Sequence, residues 1–564
     1  MNSLTPQQQA ILDQTGDQKV VAVAGSGKTT TLIRYAASRP ANKKILYLAF
    51  NRSVKLEAEQ KFKAAGLSNV QVDTAHSLAW RFQRSKIGEL TTSIRLPDLA
   101  DALRIRKTRD SGYRFALAAH VLRYISLYCN HPVSQLKQLN YLQQLDDNQS
   151  RAFADRHIGE ILRYGQLFYQ MMLEHKHPML HDVYLKEFQL TERRLPFDFL
   201  LFDEAQDASA VMLEWFRRQE GTKLLVGDPH QQIYSWRYAV NAMNRLPYPE
   251  SPLSHSFRFP PHIAQLASQV ISWKSLISDA KTNFELHGWG TEPASANQEA
   301  WLARTNLVLL GAAIERLEER PDTHFWFEGD FKAYTFAAGS WSVSDLLALW
   351  QGRNYKVRDP VLRTLGSFGA LETYCEQTGD AELNMLMELI KRYGGGLNER
   401  LQQLRKQVVS ADNREKADLI LSTVHRAKGL EYDRVKLLPD FITEKKLRKM
   451  LEEKKKVVRP DKLIEEINLL YVALTRSRGH LLVPDDWFEL DVKGTEKYIV
   501  TKKEEVMVHE GEIPYCSTPS SVGNLYVGKR VTRKPTEIRK TRTSNHSSNF
   551  YTRKSSKKKN MPRE

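Results

Sequence analysis

The sequence predicts an α/β protein with parallel β-sheets and several domains, and three observations support this prediction. Val20 and Val21 belong to an apolar run that leads into a glycine-rich turn and then a helical pattern. Residues 199–202 are four bulky apolar residues in a row, which is typical of a parallel strand covered on both faces. The chain has 564 residues, too many for one hydrophobic core, so we expect more than one domain.

The glycine-rich turn at residues 22–30 reads Ala-Val-Ala-Gly-Ser-Gly-Lys-Thr-Thr, the pattern of a phosphate-binding loop with Ala22 in place of its first glycine. Its glycines let backbone N–H groups close around phosphate oxygens at a helix N-terminus, where Lys28 can reach the β- and γ-phosphates. The Thr29 hydroxyl can hold Mg²⁺. The residues predicted to bind the nucleotide here are Ala24, Gly25, Ser26, Gly27, Lys28, Thr29 and Thr30.

A partner carboxylate for that loop follows the apolar run at 199–202, where the sequence continues Asp-Glu-Ala-Gln-Asp. Ligands bind at the carboxyl ends of the strands in open α/β sheets. We therefore predict that Asp203 binds Mg²⁺ together with Thr29, and that Glu204 orients or deprotonates an attacking water. Together the two segments predict a nucleoside triphosphatase.

A third segment indicates which kind of nucleoside triphosphatase this is. Residues 223–237 read Lys-Leu-Leu-Val-Gly-Asp-Pro-His-Gln-Gln-Ile-Tyr-Ser-Trp-Arg. With residues 203–207 it resembles motifs II and III of superfamily 1A helicases of the UvrD/Rep type. The resemblance implies that Gln231 senses the γ-phosphate. It also implies that Tyr234, Trp236 and Arg237 contact single-stranded DNA, and stacking on aromatic rings contributes about 1–3 kcal/mol per base without reading the base sequence.

Other stretches resemble the remaining motifs of this family and occur in the family's order. They are residues 4–8 (Q motif), 48–51 (Ia), 74–77 (Ib), 256–258 (IV), 423–431 (V) and 465–476 (VI). The resemblance implies that Gln8 reads the adenine edge, that Phe257 stacks on adenine and that Glu431 lies near the ribose. It places Arg258 and Arg476 on the γ-phosphate, as arginine fingers supplied by the other half of the chain. The DNA contacts that it implies are Phe50, Asn51, Thr74, His76, Thr423 and His425.

Within the family, four segments are most similar to the F-box DNA helicase branch: residues 48–54, 227–234, 256–259 and 469–476. Because the motifs begin at residue 4, we expect a helicase core without an F-box. The branch implies 3′-to-5′ unwinding; its removal of recombinase filaments cannot be read from these residues. One position departs from the family, because Thr30 stands where UvrD-type proteins usually carry an arginine that packs on the base.

The resemblance covers about residues 1–490 and implies two RecA-like lobes with mainly helical insertions. The expected pieces are lobe 1A (1–80 and 193–250), insertion 1B (81–192), lobe 2A (251–305 and 415–490) and insertion 2B (306–414). Apolar residues at three- and four-residue steps support helices in both insertions, for example at 113–125 and 382–390. Residues 491–564 form a C-terminal extension that we expect to be disordered and basic from about 528.

The charge distribution supports that expectation, because residues 528–564 contain 13 Lys and Arg against two Glu and carry most of the net charge of +17. Such a tail could tether nucleic acid through phosphates, act only in solubility, or serve in targeting. The three cysteines, Cys129, Cys375 and Cys516, lack metal spacing, and no apolar stretch of about 18–20 residues occurs. We therefore expect a reducing compartment, no secretory leader and no membrane partner.

These features predict an ATP- and Mg²⁺-dependent DNA helicase that moves 3′-to-5′ on single-stranded DNA and at single/double-strand junctions, in repair, recombination or replication. Two alternatives stay open: a translocase that strips proteins from single strands with little unwinding, and a DNA-binding scaffold that does not hydrolyse ATP. RNA also stays open as the substrate, because stacking and phosphate contacts do not read the 2′-OH. We expect a monomer or weak self-association, recombinase or repair proteins as partners, and a nuclear location in a eukaryote or a cytoplasmic or nucleoid location otherwise.

Overall fold

A computed structural model describes residues 3–108, 110, 112–145, 147–278, 284–291, 293, 298–334, 341–452, 459–484 and 487. Within these residues the predicted α/β class is confirmed, with two large parallel sheets, two small two-stranded ones (Leu90–Thr91 with Met179–Leu180, and His255–Ser256 with His287–Gly288) and mainly helical segments between the strands. The C-terminal extension predicted at 491–564 lies outside the described residues.

The strands, in chain order, are β1 (Gln18–Ala22), β2 (Ile45–Ala49), β3 (Val70–Thr74), β4 (Leu90–Thr91), β5 (Met179–Leu180), β6 (Phe199–Phe202), β7 (Thr222–Gly227), β8 (Glu250–Leu253), β9 (His255–Ser256), β10 (His287–Gly288), β11 (Glu299–Ala303), β12 (Phe325–Phe327), β13 (Leu419–Thr423), β14 (Tyr432–Leu437) and β15 (Ser477–Leu482).

The α-helices are α1 (Pro6–Asp13), α2 (Lys28–Ala37), α3 (Arg52–Ala64), α4 (Ala75–Gln83), α5 (Leu96–Ala102), α6 (Tyr113–Asn130), α7 (Asn148–Arg156), α8 (Ile158–Leu173), α9 (His181–Leu190), α10 (Ala210–Arg217), α11 (Ala242–Arg245), α12 (Pro261–Ser272), α13 (Asn306–Glu319), α14 (Phe331–Tyr334), α15 (Val343–Trp350), α16 (Pro360–Leu365), α17 (Phe368–Thr378), α18 (Ala381–Tyr393), α19 (Leu397–Lys406), α20 (Val424–Ala427), α21 (Glu444–Glu452) and α22 (Pro460–Leu474).

The first lobe is built on a six-stranded parallel sheet with the order β3-β2-β6-β7-β1-β8. Every residue of β2 is buried, which fits a strand covered on both faces. Strands β6, β7 and β1 are neighbours, so the loops that follow them leave the same edge of the sheet. This edge brings the phosphate-binding loop, the acidic segment at 203–207 and the segment at 228–237 together.

The second lobe has a five-stranded parallel sheet with the order β12-β13-β11-β14-β15. Two details differ from the expected pieces. Strand β12 and helix α13 pack in this lobe, although the sequence assigned residues 306–327 to the second insertion. Strand β8 pairs with β1, so residues 250–253 belong to the first sheet. We propose that the second insertion begins after β12 and that the second lobe begins after β8.

The two insertions are mainly helical and pack against each other. Helix α17 of the second insertion contacts α6 and α7 of the first. Phe115, Ala116 and Phe153 of the first insertion are buried in the same hydrophobic core as the helices of the second. The ring of His120 adds a polar link, with Nε2 at 2.9 Å from the carbonyl oxygen of Gln377. The insertions therefore share one core.

Among the helices of the described residues, none is both long enough and apolar enough to cross a membrane.

Candidate nucleotide site and strand-binding surface

The phosphate-binding loop joins β1 to α2 and depends on two glycines. Gly25 and Gly27 have φ angles of 73° and 79°, where other residues are strained. A Cβ on Gly25 would lie 2.6 Å from the Cβ of Arg258 and 2.7 Å from the Oγ of Ser256, so the missing side chain lets the second lobe approach. Gly27 is the N-cap of α2 and offers no side-chain cap, which leaves the first N–H groups of the helix for an anion.

The charged groups predicted for catalysis meet beside this loop. Lys28 Nζ lies 3.1 Å from Glu204 Oε1, and the Tyr47 hydroxyl donates to Asp203 Oδ2 at 2.5 Å. Burial works to lower the pKa of Lys28, but nearby carboxylates, led by Glu204, raise it overall. Burial raises the pKa of Asp203, and the charge of Glu204 raises it further. The pKa of Glu204 is lowered in spite of its burial, because Lys28 and Lys428 stabilise the carboxylate.

The residues present fit a nucleoside triphosphate with Mg²⁺. The Ser26 hydroxyl is buried in the loop without a hydrogen-bond partner among the described residues, as a donor reserved for a phosphate oxygen would be. Asp203 and Thr29 offer the hard oxygen ligands that Mg²⁺ takes along with phosphates and water. In the described part of the chain, no group of three or more His, Cys, Asp or Glu side chains is placed to hold a metal by protein ligands alone.

Gln231 is tied to both lobes through Asp228. Gln231 Nε2 donates to Asp228 Oδ2 at 2.8 Å, and the hydroxyl of Tyr471, on α22, donates to the same oxygen at 3.0 Å. The Tyr471 hydroxyl also accepts from the backbone N–H of Ala24 at 3.4 Å. Tyr471 is fully buried, so a helix of the second lobe reaches the phosphate-binding loop. The motifs did not predict a role for Tyr471, although it lies in the segment at 465–476.

The two predicted arginine fingers lie on the second lobe's side of the cleft. Arg258 Nε donates to Glu431 Oε1 at 2.7 Å and Nη1 to the Thr475 carbonyl at 3.0 Å. Arg476 is buried and held by backbone carbonyls, with Nε at 3.0 Å from Val472 O. Burial lowers the pKa of Arg476 to about 9, and the charge of Arg258 acts in the same direction. Arg476 Nη2 also donates to the Thr475 hydroxyl at 3.2 Å, so both cations bind Thr475, and an anion between the lobes would relieve their repulsion.

Gln8, predicted to read adenine, has intramolecular partners at both ends of its carboxamide. Its Oε1 accepts from the Thr5 backbone N–H at 3.0 Å, and its Nε2 donates to Thr31 Oγ1 at 3.2 Å. Thr5 and Gln8 form a capping box that starts α1. Gln8 lies against the phosphate-binding loop, because a Cβ on Gly27 would be 3.3 Å from its Nε2. Its adenine contact stays a prediction.

Five of the residues predicted to bind DNA form one surface, which we call the aromatic surface: Phe50, Tyr234, Trp236, Arg237 and His425. The rings of Phe50 and Tyr234 are stacked, with centroids 5.7 Å apart and planes at 15°. The Arg237 guanidinium lies 4.7 Å from the centre of the Trp236 ring. Trp236 is 56% exposed, so its ring is available for stacking.

The other predicted DNA contacts have structural roles. Asn51 and Thr74 cap helices α3 and α4, accepting from the backbone N–H groups of Val54 and Ser77. His76 Nε2 lies 3.1 Å from Asp182 Oδ1. Thr423, at the end of β13, is buried. Their contacts with DNA stay predictions.

A cavity of about 1600 Å³ runs beside the aromatic surface and is lined by both lobes and both insertions. Trp236 reaches it from the first lobe and Lys274 from the second. Arg123 and Tyr374 reach it from the first and second insertions respectively. Tyr374 also belongs to the core that the insertions share.

Lys274 joins the lobes through a buried hydrogen-bond network that no motif predicted. Its Nζ lies 2.6 Å from His230 Nδ1, next to Gln231 in sequence, and 2.6 Å from Asn468 Oδ1 on α22. Asn468 Nδ2 donates to the Gln232 carbonyl at 2.8 Å. A single lysine outside every recognised motif gives no sequence signal of such a role.

Replacing Lys274 with methionine is expected to change how stability depends on pH. Burial lowers the pKa of Lys274 from about 10.5 to about 7. Between these two values the unfolded chain binds more protons than the folded one, so Lys274 makes the wild-type stability rise with pH by at most about 1.4 kcal/mol per pH unit. Below pH 7 Lys274 is charged in both the folded and the unfolded chain, so the folded protein bears the full cost of burying that charge.

Thermal unfolding at pH 7 and pH 9 checks this expectation. The wild type should gain more stability over this range than Lys274→Met. Lys19→Met is the matched control, because Lys19 is also buried but binds the backbone carbonyls of Met243 and Leu246 and the carboxylate of Glu250. Equal gains in the wild type and in Lys274→Met would contradict the prediction.

Fold and site together are those of a two-lobed protein with a phosphate-binding loop at the cleft between its lobes. Two family descriptions match the chain: the UvrD/REP helicase N-terminal domain over residues 4–245 and the UvrD-like helicase C-terminal domain over residues 362–484. The chain belongs to the UvrD/Rep helicase family, as the motifs predicted.

The relatives agree with the branch that the sequence indicated. The chain is 25% identical to F-box DNA helicase 1 of Gallus gallus, over 94% of this chain and 53% of that protein. It is 27% identical to F-box DNA helicase protein 1 of Schizosaccharomyces pombe, over 83% of this chain and 55% of that protein. DNA helicase II of Haemophilus influenzae is 24% identical, over 41% of this chain and 34% of that protein. The chain thus spans about half the length of the F-box relatives.

Proposed function

We propose that this protein is an ATP-dependent DNA helicase that moves along single-stranded DNA. The observation that carries the proposal is the meeting of the phosphate-binding loop with Arg258 and Tyr471 of the opposite lobe, beside the aromatic surface. A site completed by two lobes changes shape when its nucleotide changes. A DNA strand stacked on the adjoining aromatic surface would move with that change of shape.

Each residue of the site has a distinct role in this proposal. When bound, MgATP supplies the anhydride whose hydrolysis releases free energy. Lys28 and the N–H groups at the start of α2 hold the phosphates, and Glu204 takes a proton from water or orients it. Glu204 stays ionised at neutral pH, since Lys28 and Lys428 lower its pKa. Arg258 and Arg476 neutralise charge that develops on the γ-phosphate.

Contacts between the lobes would connect this chemistry to the strand. Gln231 lies three residues before Tyr234, whose hydroxyl donates to the His425 carbonyl in the second lobe at 3.0 Å. The Lys428 ammonium binds both Asp207 and, at 2.7 Å, the Gln231 carbonyl. A movement of Gln231 towards a γ-phosphate would therefore shift the aromatic surface and its partners in the second lobe.

The further details of the function are part of the proposal. The resemblance of the motifs implies 3′-to-5′ polarity and work at single/double-strand junctions in repair, recombination or replication. The F-box relatives, both from eukaryotes, support a nuclear location in a eukaryote. Removal of proteins from single strands, the second candidate, is favoured by the cavity that both insertions line, since a strand that passed through it would be cleared of bound proteins as the protein moves. An unwinding assay on tailed duplexes decides the polarity, and a requirement for a 5′ tail would overturn it.

The steady-state ATPase rate tests the central proposal, measured without nucleic acid and with single-stranded DNA, duplex DNA or RNA. Lys28→Ala serves as the blank. We expect strong stimulation by single-stranded DNA in the wild type and none in the variant. A wild-type rate no higher than that of the blank on every polymer would overturn the motor and leave a DNA-binding scaffold.

Replacing Trp236 with alanine is expected to weaken binding of oligo(dT) by about 1–3 kcal/mol, because one stacking surface is lost. Fluorescence anisotropy with a labelled oligonucleotide measures the change. Trp350→Ala is the matched control, since Trp350 is 41% exposed but lies in the second insertion away from the aromatic surface. Equal affinities for Trp236→Ala and the wild type would remove Trp236 from the strand path.

A further inference from the structure

Two exposed aromatic rings stand at the edge of the nucleotide site, and only one of them belongs to a recognised motif. Phe257 is 49% exposed and Trp289 is 53% exposed. Their ring centroids are 5.8 Å apart and their planes meet at 74°. The rings therefore form two walls of a corner, which we call the aromatic corner.

The corner lies at the phosphate-binding loop. The backbone N–H of Phe257 donates to the Gly25 carbonyl at 2.9 Å. A Cβ on Gly27, the N-cap of α2, would lie 3.9 Å from Cε2 of the Phe257 ring. A nucleotide with its phosphates at the start of α2 would have its base within reach of this corner.

Trp289 is held in place by its backbone. Its N–H donates to the Ser256 carbonyl at 2.7 Å, directly before Phe257, and the next N–H, of Gly290, donates to the Phe259 carbonyl at 3.0 Å. A Cβ on Gly290 would lie 2.4 Å from the backbone nitrogen of Phe259. Only a residue without a side chain lets this segment lie so close to the segment at 256–259.

The Trp289 ring is also supported from behind. The imidazole of His255 packs against it with centroids 3.9 Å apart, and His287 stacks on His255 with centroids 5.1 Å apart. His255 Nδ1 lies 3.2 Å from Gln7 Oε1, beside Gln8 in sequence. Large exposed indoles are uncommon on protein surfaces, and here the ring is fixed by neighbours while over half of it stays open.

The start of α2 offers a bound base little to stack on. Thr30, in the first turn of this helix, is exposed and carries no flat group. We propose that Trp289 supplies this missing surface and that, with Phe257, it binds the nucleobase by stacking and favours purines over the smaller pyrimidines. This proposal rests on the proposed nucleotide-binding function.

Isothermal titration of the full chain with ADP, CDP and inorganic tripolyphosphate tests the proposal, using Trp289→Ala and Trp289→Phe. Loss of one base–ring stack should weaken ADP binding by about 5- to 150-fold in Trp289→Ala. Tripolyphosphate binding should stay unchanged, and Trp289→Phe should keep most of the ADP affinity. The preference for ADP over CDP should shrink in Trp289→Ala. Trp350→Ala, with a distant exposed indole, controls for loss of a surface tryptophan.

The outcomes separate the two levels of the proposal. Equal ADP affinity in Trp289→Ala and the wild type would overturn the role of Trp289 and leave nucleotide binding intact. Loss of tripolyphosphate binding in both Trp289 variants would assign the ring a purely structural role and also overturn it. A wild type that binds neither ADP nor tripolyphosphate would overturn the proposed function itself.

Discussion

Replacing Arg258 with alanine is expected to lower kcat for DNA-stimulated ATP hydrolysis by about 10³–10⁵, the range found for arginine fingers. Arg258 reaches the phosphate-binding loop so closely that its Cβ would touch a Cβ on Gly25. Its ion pair with Glu431 aligns the guanidinium before any nucleotide binds. Because the expected contact is with the γ-phosphate, the affinity for ADP should change little.

Two further variants sharpen this test. Arg400→Ala removes an arginine that pairs with Glu318 far from the cleft and should keep the wild-type kcat. Glu431→Gln removes the partner that aligns Arg258 and should have a smaller effect than Arg258→Ala. A loss of less than tenfold in Arg258→Ala would contradict a role in the transition state.

Replacing Glu204 with glutamine is expected to lower kcat by about 10²–10⁴, the usual contribution of a general base. Glutamine keeps the shape of the side chain but cannot take a proton. Lys28 would lose its ion partner, yet it would still face Asp203, so the phosphate site should stay formed. We therefore expect ATP to bind with nearly the wild-type affinity.

Single-turnover hydrolysis and equilibrium ATP binding, measured on the same preparation, separate the two effects for Glu204→Gln. Glu214→Gln is a suitable control, because Glu214 pairs with Arg217 and Arg218 on the surface of α10. A variant that hydrolyses ATP at the wild-type rate would exclude Glu204 as the base. A variant that no longer binds ATP would instead assign it to the binding site.

The parts of the site that the sequence predicted are those formed by contiguous residues. The turn at 22–30 and the strand ending at Asp203 each specify a local structure, and parallel pairing of neighbouring strands then brings their loops together. Tyr471, Lys274 and Trp289 could not be found in this way. Their contacts join residues that are 44 to 447 positions apart, or they depend on a glycine-flanked turn that no pattern marks.

The limits of the two insertions were harder to predict for a similar reason. Helix α13 has the same amphipathic pattern whether it packs on a sheet or in a helical insertion. Strand β12 is only three residues long, and its pairing with β13 decides the assignment. The roles of Asn51 and Thr74 were ambiguous for a similar reason. The same residue types cap helices and contact phosphates, so the sequence alone does not distinguish the two roles.

Because the two insertions share one core, separating them would change the heat capacity of the protein. Phe115 and Phe153 are nearly completely buried there, and exposing a phenylalanine side chain to water costs about 1.5–3 kcal/mol. Apolar exposure also raises the heat capacity, whereas polar exposure lowers it. If the two insertions separate, the enthalpy change of that separation therefore depends steeply on temperature. Calorimetry can distinguish it from a rearrangement of surface ion pairs.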